Sequence, residues 1–128
     1  MKKGLKILIT LIILIAVIMG GALIALTQGL EEGKSVTING LNLSNIEDGT
    51  YNGKYDFKRW SNELGIKVKD HKIMEIKVVK DVRFANPAVT IQLFNEVIEA
   101  QDTTVDLVSG STVTAKANLK AIENAFKK

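Results

Sequence analysis

The chain reads as a small α+β domain behind an N-terminal transmembrane helix: a small antiparallel sheet with two helices packed on it. Three observations carry that reading. An apolar run near the start is long enough to cross a bilayer. A middle stretch alternates apolar with polar residues, and two later segments repeat apolar residues at helical spacing.

Ile7 to Leu26 is interrupted only by Thr10, Gly20 and Gly21, and as a helix it is about 30 Å long, the hydrocarbon thickness of a bilayer. Ala22, Ala25 and Gly29 offer small residues for cleavage. A secretory signal, however, carries a shorter apolar stretch of about 7 to 15 residues, so a retained anchor is expected. The lack of cysteine excludes a lipidated-cysteine anchor, and the run has no early Glu of the kind a pilin-type leader carries. Lys2, Lys3 and Lys6 precede the run, and the first acidic residue is Glu31. By the positive-inside rule the N-terminus is cytoplasmic and the C-terminal domain extracytoplasmic, in a single-pass protein of the cell membrane.

Three of the 17 basic residues belong to that anchor, and the remaining 14 match the 14 acidic ones, so the formal charge of +3 is the anchor's. A domain without a net basic footprint is not expected to bind nucleic acid. Zero cysteines remove disulfides, thiolate metal sites, iron–sulfur clusters and c-type haem attachment. His71 is the only histidine, so no metal site is expected either.

The organisation follows as 1–27 for the lysines and span, 28–44 for a spacer and hairpin, and 45–128 for the domain. Gln28 to Lys34 is polar and contains Gly29 and Gly33. Asn39-Gly40, between Val36-Thr37-Ile38 and Leu41-Asn42-Leu43, predicts a two-residue hairpin turn. Asp48-Gly49 opens a strand over Thr50 to Arg59, where Tyr51, Tyr55 and Phe57 favour extended backbone. Leu64, Ile66 and Val68 alternate with polar residues, Asp70-His71 turns the chain, and Ile73 to Val79 completes an antiparallel meander. Asn86-Pro87 starts a helix over Pro87 to Ala100, with Ile91, Phe94, Val97 and Ile98 on one face. Val105 to Val108 predicts a short strand, and Ala115 to Lys127 a helix with Leu119, Ile122 and Phe126 on one side. A domain of roughly 80 to 95 residues buries one modest core and has little room for a deep cavity.

The chemistry concentrates in Asp106-Leu107-Val108-Ser109-Gly110-Ser111-Thr112-Val113-Thr114. A strand feeding a tight turn and then a helix leaves unpaired N–H groups and the positive end of a helix dipole, which suits a phosphate. Ser109, Ser111, Thr112 and Thr114 add hydroxyls, and Gly110 allows close backbone approach. Read from chemistry alone, the segment is also a Ser/Thr-rich turn capping the last helix, with Thr112 or Thr114 as N-cap. Neither Gly-x-Ser-x-Gly nor a phosphate-loop motif occurs, which disfavours a serine hydrolase and a phosphate-loop nucleotide site.

Asp106, Ser109-Gly110 and Thr112 resemble the Asp-x-x-(Ser/Thr)-Gly-Ala-Thr signature of the FMN-binding domain family, with Ser111 in place of the usual Ala. Asp48-Gly49-Thr50-Tyr51-Asn52-Gly53 resembles the Asp-Gly-x-Tyr-x-Gly start of the same domain, and Val105 to Lys128 its last strand and helix. The resemblance covers roughly the last two thirds of the chain. That family includes flavin-carrying subunits of sodium-pumping NADH:quinone reductases and Rnf-type complexes. The resemblance implies FMN on Thr112 through a phosphoester, installed outside the cytoplasm by a separate Mg-dependent flavin transferase. Asp106, Ser109, Gly110, Ser111 and Thr114 would complete the cofactor-binding set, and no catalytic residue is implied. Tyr51, Tyr55 and Trp60 are candidate ring contacts. The expected role is an electron carrier among redox proteins or a quinone-linked complex, more than a stand-alone enzyme. Two other classes compete: a flavin-free tethered interaction or regulatory domain, and a flavin reductase fragment that needs a partner subunit.

Overall fold

The computed structural model describes residues 2–107 and 112–127, and the chain divides into two compact units, Met1–Leu30 and Glu31–Lys128. The first unit is dominated by helix α1 (Lys2–Thr27), which has no buried residue and whose most apolar stretch has a mean hydropathy of 3.0. Leu, Ile and Val surround its axis without a polar stripe, the pattern of a helix solvated by lipid. It is long and apolar enough to cross a membrane.

A short helix, α2 (Leu30–Lys34), is followed by the strands β1 (Gly49–Tyr55), β2 (Asn62–Lys69) and β3 (Lys72–Lys80), then by α3 (Pro87–Ala100) and α4 (Thr112–Ala125). The strands pair antiparallel in the order β1-β2-β3, and both later helices pack on the sheet, α4 on β1 and β2, α3 on β3. This is the expected α+β arrangement. Asp70 and His71 take φ values of 54° and 61°, the left-handed backbone that a two-residue hairpin needs to match strand twist. The Asp48 carboxylate accepts the Asp70 N–H at 2.8 Å and holds that turn.

Alternation in β2 buries Leu64, Ile66 and Val68 against Ile73, against Leu93, Phe94 and Val97 of α3, and against Leu119 and Ile122 of α4. Each such burial contributes about 1.5–3 kcal/mol. Helix α3 starts where Asn86-Pro87 predicts, with the Asn86 side chain accepting the Ala88 N–H at 3.1 Å. Its far end is pinned to β3 by Gln101, which accepts from Ile73 N at 2.6 Å and donates to Ile73 O at 3.0 Å.

Four local expectations are corrected. Residues 36–43 form no hairpin strands, because the N–H groups of Asn39, Gly40 and Leu41 are taken by the Glu123 and Asp102 carboxylates instead of by a facing strand. The first strand ends at Tyr55, and Lys58–Trp60 curls into a 3-10 turn, closed by Ser61, which accepts from Phe57 N and donates to Lys58 O. Residues 105–107 keep the alternation of a strand, with Val105 and Leu107 against the core and Asp106 exposed, yet they join no ladder. The last helix begins at Thr112 rather than at Ala115.

Candidate functional site

Helix α4 runs antiparallel to β1, and that direction decides what lies near its opening. Tyr51 meets Phe126 with ring centroids 5.3 Å apart, Asn124 donates to Lys54 O at 2.8 Å, and Gly53 sits under Ala121 and Ala125. The β1 end beyond Tyr55 therefore faces the first turn of α4. There Gly33 lies against both Val113 and Phe57, and the Lys116 ammonium donates to Lys34 O.

Thr112 is the first residue of α4, and Thr114 follows in the same turn; both are half-buried. This places Thr114 inside the helix rather than at an N-cap. The Thr114 carbonyl accepts from Asn118 Nδ2 at 3.1 Å, while the buried Asn118 Oδ1 has no partner among the described residues. No acidic side chain stands in that first turn, so nothing there opposes the positive end of the helix dipole. Ser109, Gly110 and Ser111 lie outside the described residues. Asp106 is exposed and lines an open groove of about 470 Å³ with Glu96, Glu99, Ala100, Thr104 and Val105. Three carboxylates make that groove unfavourable for a phosphate.

The aromatic candidates separate along α4. Tyr51 also donates its hydroxyl to Glu47 O at 2.8 Å, so it braces the far end of the helix, about 20 Å from Thr112 at 1.5 Å per residue. Trp60 is 1% exposed and covered by the Arg59 guanidinium 4.1 Å above its ring, which leaves it no free face. Tyr55 is half-buried at the right end, and burial raises its phenol pKa. Phe57, 6.2 Å from Tyr55 and 6.1 Å from Trp60, is half-buried beside Gly33 and Val113, and the sequence reading used it only as a strand residue and not as a candidate ring contact.

Two carboxylates that sequence reasoning missed organise the opposite flank. Glu123 Oε1 accepts from Asn39 N at 2.8 Å, Gly40 N at 3.1 Å and Thr103 Oγ1 at 3.0 Å, and Oε2 pairs with Lys120 at 2.9 Å. Burial pushes its pKa up, but those donors outweigh burial and hold it below the ordinary value. Asp102 behaves alike: desolvation raises it, and bonds from the Thr104 side chain and from the Leu41, Thr103 and Thr104 amides lower it further. Both are braces for residues 39–41 rather than reactive groups. A signal for Glu123 was present, since it falls one turn beyond Leu119 on the apolar face of α4.

His71 is exposed at its turn, with Nδ1 3.2 Å from Leu43 O, and no metal-binding cluster occurs among the described residues. Compared with known proteins, the chain matches no family model and no curated sequence.

Proposed function

We propose that the chain is a membrane-anchored, extracytoplasmic electron carrier that holds FMN at the opening of α4, joined through its phosphate to Thr112. The observation that carries this reading is the position of Thr112. The hydroxyl singled out by the Ser109-Gly110-Ser111-Thr112 resemblance belongs to the first residue of a 14-residue helix with no acid in its first turn. An anion placed there gains from the dipole and from the first N–H groups of a helix, which have no acceptor within the helix itself.

Thr112 fixes the phosphate, and Tyr55 and Phe57 offer apolar surface beside it. Attachment forms a bond from Thr112 Oγ1 to the flavin phosphorus while the bond to the activating group breaks and that group leaves with the electron pair. The hydroxyl proton passes to a base of a separate flavin transferase. Bound FMN supplies electron-transfer chemistry at its ring, exchanged with other redox proteins or a quinone-linked complex. A covalent link has a physical rationale, because a small domain with open grooves buries too little ligand surface to retain a flavin in an open compartment.

The test is to purify the chain from cells co-expressing a flavin transferase, denature it, and measure flavin fluorescence and intact mass. The expected result is a mass increase of FMN minus water, mapped to the peptide 109–116 and abolished by Thr112→Ala. Flavin released on denaturation would establish reversible binding instead. A chain colourless before and after denaturation would overturn the reading in favour of a flavin-free tethered interaction domain.

A further inference from the structure

We infer that the end of the domain where β1 and β3 finish rests on an anionic lipid surface, with Phe84 entering the headgroup layer. Tyr55 pairs with Asn62 and Glu63 with Lys80, so the 3-10 turn Lys58–Trp60 and the loop 81–86 leave the sheet at one end. The Arg83 N–H donates to Arg59 O at 3.0 Å and ties the two segments together. At the tip stands Phe84, 80% exposed and with φ at 59°. The left-handed region is costly for an aromatic residue, and here it accompanies a ring turned into solvent rather than onto the core.

Lys58, Lys80 and Arg83 are exposed on these segments against Asp56 and Asp81, while the Arg59 guanidinium is engaged over Trp60 and Asp81 already accepts from Val82 N at 2.8 Å. An exposed aromatic ring among cations is the chemistry of a membrane interface. The ring lies at the boundary between headgroups and acyl chains, and the cations meet lipid phosphates. Chain connectivity favours lipid over a diffusible partner. This end also carries Gly33, packed on Val113 and Phe57, and only residues 28–32 separate Gly33 from the last residue of α1. Six residue steps reach at most about 20 Å, so an inserted α1 keeps the loop at high effective concentration over headgroups. The inference rests on α1 entering the bilayer and is independent of flavin.

Because the chain has no cysteine, one introduced thiol gives a clean probe. Full-length Phe84→Cys, labelled with nitrobenzoxadiazole, is reconstituted into phosphatidylcholine vesicles with and without phosphatidylglycerol. Vesicle flotation reports insertion of α1 separately. The expected result is a blue-shifted emission, quenched by spin-labelled lipid, on phosphatidylglycerol vesicles only. High salt and the added substitutions Lys80→Glu and Arg83→Glu should reverse it. The same label on His71→Cys, in the turn at the other end of the sheet, should stay in water. A chain that floats while the probe at 84 stays in water on both vesicles overturns the inference, as does equal quenching at both positions. A chain that does not float overturns the anchor on which the inference rests.

Discussion

Removing the Glu123 carboxylate should detach the 39–41 segment from α4, and the cost can be worked from its partners. The side chain is 5% exposed, accepts three hydrogen bonds on one oxygen, and pairs on the other with Lys120, whose side chain is 15% exposed. Glu123→Ala leaves three donors and one ammonium without an acceptor in a site that water enters poorly. Losing one partner of a buried pair costs about 3–5 kcal/mol, consistent with about 1.5–3 kcal/mol for each bond to a charged group less what solvent recovers. At about 4–8 °C per kcal/mol for a domain of this size, the melting temperature should fall on the order of 20 °C. Glu123→Gln keeps one acceptor oxygen for the three donors and loses the charge and the acceptor for Lys120, so it should cost about 1–2 kcal/mol, less than Ala. The single Trp60 is buried, so its fluorescence reports urea unfolding of the full chain in lipid nanodiscs. A loss below about 1 kcal/mol for Glu123→Ala, or equal losses for Ala and Gln, would refute the argument.

Four further outcomes follow from the same packing. Glu123 and Asp102 both have lowered folded-state pKa values, so their stabilisation is complete above the ordinary carboxylate values of 4.5 and 3.8 and fades as pH falls through the lower folded values. Acid titration of unfolding should show that limb, and Glu123→Gln should flatten it. Gly53→Ala puts a methyl into the Ala121 carbonyl and within 2.9 Å of Ala125 Cβ, so thermal unfolding should show a loss of about 1–3 kcal/mol or more. Ile122→Ala empties a site with 0% exposure and should lower the urea midpoint by the equivalent of about 2–5 kcal/mol. Thr112→Ala should change stability by less than about 1 kcal/mol, because the half-buried hydroxyl stands inside the helix rather than at its cap.

The sheet and α3 were legible because their signals are local. Leu64, Ile66 and Val68 alternate over the length of β2, and Asn86-Pro87 combines a side-chain cap with a backbone angle already suited to a helix. The Asn39-Gly40 reading failed for the complementary reason. Gly40 does adopt a positive φ of 86°, as the dipeptide suggests, but the N–H groups of Asn39, Gly40 and Leu41 bond to Glu123 and Asp102, which lie 61 to 84 residues away. No local window contains those partners. The residues 105–107 show a further limit: alternation reports which side chains face the core, and a ladder also needs a free neighbouring edge.

The two sequence patches that resemble one family do different physical work in this chain. In the first, Asp48 holds the β2–β3 turn, Tyr51 packs on Phe126, and Gly53 lets α4 approach the sheet backbone. All three act on the fold, and Tyr51 does so at the end of α4 remote from Thr112. In the second, Thr112 and Thr114 stand in a first turn that the core uses only through Val113 and Ala115. Hydroxyls that the core does not require are free to serve a ligand, whereas a glycine under a helix carbonyl is not. On the proposed reading of the chain as an FMN carrier, substitutions in the first patch should therefore lose flavin only in proportion to the folded fraction they lose, and substitution of Thr112 should lose it with the fold intact.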